Sequence, residues 1–141
     1  MYKRQDHAIA HAAKGGIVTF VWHWGAPVGL YDTPEQRWWS GFYTAATDFD
    51  IADTLADPTG ANYTLLMKDI DTIAVQLKKL QNAGVPVLWR PLHEAEGAWF
   101  WWGAKGPEAC KQRKSPRFVC SSVTNEPGSL ENPVRAIDSA A

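Results

Sequence analysis

Two short apolar runs decide the fold: Ile17-Val18-Thr19-Phe20-Val21-Trp22 and Val85-Pro86-Val87-Leu88-Trp89. Both are rich in β-branched and aromatic residues, and turn signals bound both: Gly15-Gly16 before the first, Gly84 before the second. Runs of this length read as strands buried on both faces, as in a parallel sheet with helices around it. Between them, Tyr63 to Asn82 carries Leu66, Ile70, Ile73, Leu77 and Leu80 at steps of three and four. That spacing predicts an amphipathic helix with Lys68, Asp69, Asp71, Lys78 and Lys79 on its solvated side. Asn62 is the candidate N-cap and Gly84 the candidate C′ residue. Strand, helix and strand form a βαβ unit, for which a right-handed crossover is expected. In such sheets, ligands bind at the C-terminal ends of the strands.

Outward from this unit, residues 1–14 read as a further helix with a weak apolar face. The stretch from Gly25 to about Asn62 reads as a long loop, punctuated by Gly25, Pro27, Gly29, Asp32 and Pro34. Connections of that length inside a compact unit are usually functional. Lys111 to Ala141 has one aromatic residue and neither helical nor alternating periodicity, so an irregular or disordered tail is expected there.

The chain has 141 residues, with 14 Lys and Arg against 15 Asp and Glu. A net charge of -1 opposes a nucleic-acid partner, which calls for a basic excess or stripe. No apolar run approaches the roughly 18 residues that span a bilayer, and no membrane partner is expected. The first residues lack the apolar core of an export signal. Cys110 and Cys120 are the two cysteines, too few for a disulfide framework. Aromatic content is the distinctive feature: all eight Trp fall between Trp22 and Trp102. An indole is costly to bury without a partner for its N–H. A dense Trp set therefore suggests a surface for flat amphipathic ligands such as sugar rings, with a Trp-rich core as the alternative.

Each strand runs into ionisable groups, the first into Trp22-His23-Trp24 and the second into Arg90-Pro91-Leu92-His93-Glu94. A carboxyl at the mouth of a strand beside Trp and Leu is expected to be partly desolvated, which raises its pKa. That is the property required of a general acid in glycoside cleavage. A salt bridge from Glu94 to Arg90 is the competing reading. Gly97 permits a tight turn that would bring Trp99 over the site. Phe100, Trp101 and Trp102 could instead close the end of the fold. Glu96 reads as a surface residue. His93-Glu94 does not start a zinc-protease helix, because Gly97 stands where the second His belongs. His7 and His11 share a helix face, read as solvated, and no metal or cofactor is expected. Asn62-Tyr63-Thr64 is an N-glycosylation sequon, weak support for secretion.

The segments Gly15–Trp24 and Trp89–Gly103 resemble the third and fourth barrel strands of glycoside hydrolase family 26, with the acid/base loop after the fourth. The resemblance covers roughly residues 8–108. It implies an α/β fold, part of a (β/α)₈ barrel, and an endo-β-1,4-mannanase that acts with retention on mannan or galactomannan outside the cell. It implies that Glu94 is the general acid/base, that His93 orders the site, and that His23 and Trp99 bind substrate. Trp24 and Arg90 are grouped with them as candidate substrate-binding residues. Residues 1–110 are assigned to a partial catalytic domain and 111–141 to an unrelated tail. A barrel of this class needs about 250 residues. The nucleophile that retention requires has no counterpart, because Glu126 and Glu131 follow no apolar strand. The chain is therefore expected to be a fragment inactive by itself, with a non-catalytic polysaccharide-binding role or a hydrolase of another β-linked glycan as alternatives.

Overall fold

The computed structural model describes residues 2–106 and Ala109. Its elements follow in the order α1 (Tyr2–Ala12), β1 (Val18–Val21), α2 (Ile51–Ala56), α3 (Ala61–Asn82) and β2 (Val87–Arg90). Two single 3₁₀ turns, Trp38–Ser40 and Thr44–Ala46, sit between β1 and α2. β1 and β2 pair in parallel, with Val18 opposite Val87 and Val21 opposite Arg90. The α/β class and the strand–helix–strand unit are therefore as the apolar runs predict. The strands are shorter than the runs, because Ile17 and Val85 lie just before the paired residues.

Alternation along the strands sorts their side chains onto two faces. Val18, Phe20, Val87 and Trp89 pack with Ala8, Ile9 and Ala12 of α1 and Leu80 of α3. On the other face Val21 is 39% exposed and Leu88 56%. Burial on both faces was expected, but the described helices cover only one. The Thr19 hydroxyl donates to the Leu88 carbonyl across that open face.

α3 begins at Ala61 with Gly60 as its cap, so Asn62 lies inside the first turn rather than at the cap. The preceding turn explains the shift. The Asp57 carboxylate accepts from both the amide and the hydroxyl of Thr59, and Gly60 N–H donates to Asp57 O. Such an Asx-type turn fixes where the helix can start. At the other end Gly84 follows the Ala83 cap with φ +69°, the left-handed C′ geometry that glycine accepts without strain.

The long connection is not all loop. Asp50 caps α2, its carboxylate accepting from the amides of Ala52 and Asp53. The same carboxylate pairs with Lys105 at 2.6 Å, which ties the helix start to the segment after Trp102. Ile51 and Leu66 are fully buried in the core between α2, α3 and the aromatic residues Trp24, Phe49, Phe100, Trp101 and Trp102. The assignment of a separate tail from residue 111 lies outside the described residues.

Burial pushes the Asp50 carboxyl up, but the Lys105 ammonium and the amides of Asp53 and Ala52 outweigh it and leave it below its usual 3.8. A carboxyl lowered by folding contributes stability above its unfolded pKa, and the contribution disappears as pH falls through the folded value. Asp50→Ala is therefore expected to cost about 1 kcal/mol of unfolding free energy at neutral pH. Urea denaturation should show the gap from wild type closing below pH 3.8. A gap that persists undiminished in acid would exclude the carboxylate as its source.

Candidate active site

The site is assembled where the two parallel strands end. Past β1, Trp22 and Trp24 fall on one side of the extended chain and His23 on the other. The Trp22 and Trp24 rings stack at 4.2 Å with 13° between planes. Trp24 is 4% exposed, and its indole N–H donates to Asp69 Oδ2 at 2.9 Å. It is therefore part of the core and closed to a sugar, contrary to its grouping with substrate-binding residues. Trp101 is also buried and donates its indole N–H to the Trp24 carbonyl at 2.7 Å. Trp102 donates to the His93 carbonyl at 3.0 Å. Each of these buried indoles has a partner, as burial of a polar group requires.

Past β2 the chain turns sharply through residues 91–96. Leu92 and Glu94 both take positive φ, 51° and 55°. Non-glycine residues reach this left-handed region at a cost of about 1–2 kcal/mol each, and such strain clusters at functional sites. Here the turn is held by Gly97 N–H donating to Glu94 O and by the Trp102 indole on His93 O. Gly103 abuts the carbonyls of Ala95 and Gly97, so a Cβ there would collide with backbone.

This turn brings together residues from both strand ends. The rings of His23 and His93 meet edge to face at 4.7 Å. Phe42 packs on His23 at 5.1 Å, and Phe100 on His93 at 5.2 Å. His23 itself is exposed, as is Arg90 at the end of β2. Glu94 is exposed too, so the desolvation expected for it is not supplied by the described residues. The competing salt bridge is also absent: among the described residues the ion pairs are Asp32–Arg37 and Asp50–Lys105. Glu94 instead accepts a hydrogen bond from the indole of Trp99, Nε1 to Oε2 at 3.1 Å.

Trp99 is half exposed, and its ring lies over Gly97, where any Cβ would strike it. The aromatic run after Glu94 thus divides: Trp99 faces outward, whereas Phe100, Trp101 and Trp102 are core. Beside Trp99 lies an open groove of about 730 Å³ lined by Arg37, Trp39, Tyr43, Thr44 and Ala98 among others. Trp38 and Trp39 are 64% and 63% exposed. The groove and the Thr44 hydroxyl had no sequence signal, because a threonine in Thr44-Ala45-Ala46-Thr47 looks like any loop threonine. Among the described residues no cluster of His, Cys, Asp and Glu is arranged to hold a metal ion.

Burial holds the His93 imidazole below its usual 6.5, with His23 and Arg90 adding to the effect and the Glu94 carboxylate opposing it. Its Nδ1 is buried and without a hydrogen-bond partner among the described residues. A base that is harder to protonate when folded lets the unfolded chain take up the proton first, so stability falls with pH below 6.5. The urea midpoint is expected to drop as pH is lowered through that range, and to drop less in His93→Gln. Parallel pH dependences for the two proteins would show that the sheltered ring is not responsible.

The profile of glycosyl hydrolase family 26 matches residues 2–123, past the boundary expected at residue 110. A mannan endo-1,4-β-mannosidase of Thermothelomyces thermophilus is 69% identical over 107 residues, covering 76% of this chain and 22% of the relative. A mannan endo-1,4-β-mannosidase of Piromyces is 39% identical over 95 residues, 67% of this chain and 15% of the relative. The crystal structure of the Podospora anserina GH26-CBM35 β-(1,4)-mannanase superposes with a TM-score of 0.75 at 76% identity, covering 77% of this chain and 24% of that one. A β-mannanase from a symbiotic protist of the termite Reticulitermes speratus, complexed with gluco-manno-oligosaccharide, gives 0.64 at 42% identity, covering 77% and 32%. The chain spans about a fifth of the length of the Thermothelomyces relative.

Proposed function

The chain belongs to glycosyl hydrolase family 26, and from this we propose that it is the acid/base wall of an endo-β-1,4-mannanase acting with retention in a (β/α)₈ barrel. The observation that carries this reading is the turn after β2, where two strained residues bracket His93 and present Glu94 to solvent beside Trp99. Enzymes with barrels of this kind build their sites at the C-terminal ends of strands, which is where Glu94, His93 and His23 meet. Glu94 protonates the leaving oxygen and later takes a proton from water. His93, kept neutral at the base of the turn, orders the groups around the reacting bond. His23 and Arg90 contact the sugar, and the outer face of Trp99 stacks on a pyranose ring. The exposed Trp39 and Tyr43 beside Trp99 suit a polysaccharide, whose C–H faces lie on indole and phenol rings.

Support for the substrate class comes from the relatives, which are mannanases by name, one of them complexed with gluco-manno-oligosaccharide. A β-1,4-mannan or glucomannan outside the cell is the substrate proposed for this chain. Retention needs a second carboxylate about 5–5.5 Å from the first. Glu126 and Glu131 lie outside the described residues, so the nucleophile is assigned to no residue of this chain.

Activity is best tested with the matched segment grafted into the Thermothelomyces thermophilus enzyme. General acid assistance is worth about 10²–10⁴-fold, and Glu94→Gln is expected to lower kcat/KM on mannan by that order. Far less should be lost on a dinitrophenyl glycoside, whose leaving group departs without a proton. Equal loss on both substrates would remove Glu94 from the acid/base role.

The chain by itself is expected to release no reducing ends from mannan, because an acid alone cannot form the glycosyl-enzyme intermediate. Hydrolysis by the purified chain that Glu94→Gln abolishes would overturn this, and would place a second carboxylate in the chain or in a partner copy.

A further inference from the structure

Glu94 is exposed, and among the described residues the Trp99 indole is what holds its carboxylate. An exposed glutamate has three side-chain torsions to fix, so the position of the acid depends on the position of that indole. Trp99 is half exposed, and among the described residues its ring meets the core at the edge of Phe100, with 6.3 Å between centroids. What fastens it is the backbone. The Thr44 hydroxyl donates to the Ala98 carbonyl at 2.7 Å, and the Thr44 amide donates to the Trp99 carbonyl at 2.8 Å. The adjacent pair Tyr43 and Phe100 forms an isolated antiparallel bridge, which continues the same register. Gly97 supplies the space into which the indole folds. Thr44 thus clamps both peptide units around Trp99 from an element 50 residues upstream of Glu94, without touching Glu94 itself.

We propose that Thr44 is a positioning residue for the acid/base: through its two hydrogen bonds to residues 98 and 99 it sets the Trp99 indole N–H against the Glu94 carboxylate. The proposal rests on the assignment of Glu94 as acid/base. The hydroxyl is the separable part of the clamp, since valine keeps the shape and the amide but not the O–H donor. Catalysis by a positioned group is sensitive to displacement, with an error near 1 Å costing up to about 10²-fold. Loss of one of two tethers displaces the indole by less than that.

In the grafted enzyme, Thr44→Val is expected to lower kcat on mannan about tenfold with KM little changed. Thr44→Ser, which keeps the donor, should restore most of the rate. On the dinitrophenyl glycoside, Thr44→Val should leave kcat/KM near wild type, because no acid is needed there. Trp99→Phe keeps a ring and removes the N–H, and should reproduce the kcat loss on mannan. Combining it with Thr44→Val should add nothing further, since both act through one hydrogen bond. Wild-type kcat in Thr44→Val, losses that multiply in the double variant, or an equal loss on the activated glycoside would each overturn the proposal. Should Thr44→Val fail to fold, Trp99→Phe with unchanged kcat on mannan overturns it alone. Glu94→Gln measured alongside separates the two readings: without a leaving-group-dependent loss there, the acid/base assignment itself fails.

Discussion

The indole of Trp101 donating to the carbonyl of Trp24 at 2.7 Å is the contact on which the rest depends. It joins the segment leaving β1 to the segment that follows the turn after β2, 77 residues later. Both partners are buried, and the two rings also meet edge to face at 5.0 Å. A buried N–H left unpaired would cost about 1–3 kcal/mol, so the contact is enforced as much by that penalty as by its own attraction. With the two segments joined in this way, His23 and His93 have little choice but to meet, and Phe42 and Phe100 fill the space around them.

Where the fold was legible, the signals were local. The stripe from Leu66 to Leu80 and the glycines at 15 and 84 act within a turn or two of the chain, and both glycines take the left-handed geometry expected of a stop. α2 was missed because a six-residue helix offers only Ile51 and part of Leu55 as an apolar face, amid Asp and Pro residues that read as loop. Its one readable mark was Asp50, a good cap before an apolar residue. Asn62 misled for a similar reason: the residue type fits a cap, but a turn set by Asp57 moved the helix start forward.

The residues proposed for the site stood out in the sequence, but their environments did not. The strand ends and the family resemblance pointed to His23, His93, Glu94 and Trp99, and the structure brings these four together. Whether a given tryptophan would be core or surface was not readable, since that depends on partners distant in sequence. Trp24 is buried by Asp69 and Trp101, 45 and 77 residues away. Trp99, three residues from Trp102, is exposed while Trp102 is closed over by Phe100 and His93. The exposure of Glu94 has the same origin: solvation at a strand end is decided by walls built from other parts of the chain.

The parallel pairing of β1 with β2 also governs the order in which this segment can form. Its strands are 69 residues apart in sequence, as the Thr19–Leu88 hydrogen bond records. During synthesis at about 5–20 residues per second, β1 waits several seconds for its partner to emerge. Through that interval, among the described elements, the edge of Val18 to Val21 lacks its strand partner and can pack only against α1 and, once made, α3. α3, whose backbone hydrogen bonds are short-range, can form before the sheet does. The late step is therefore closure of the sheet against a helix already made. Substitutions that weaken β2 should act on the yield of folded protein before they act on chemistry.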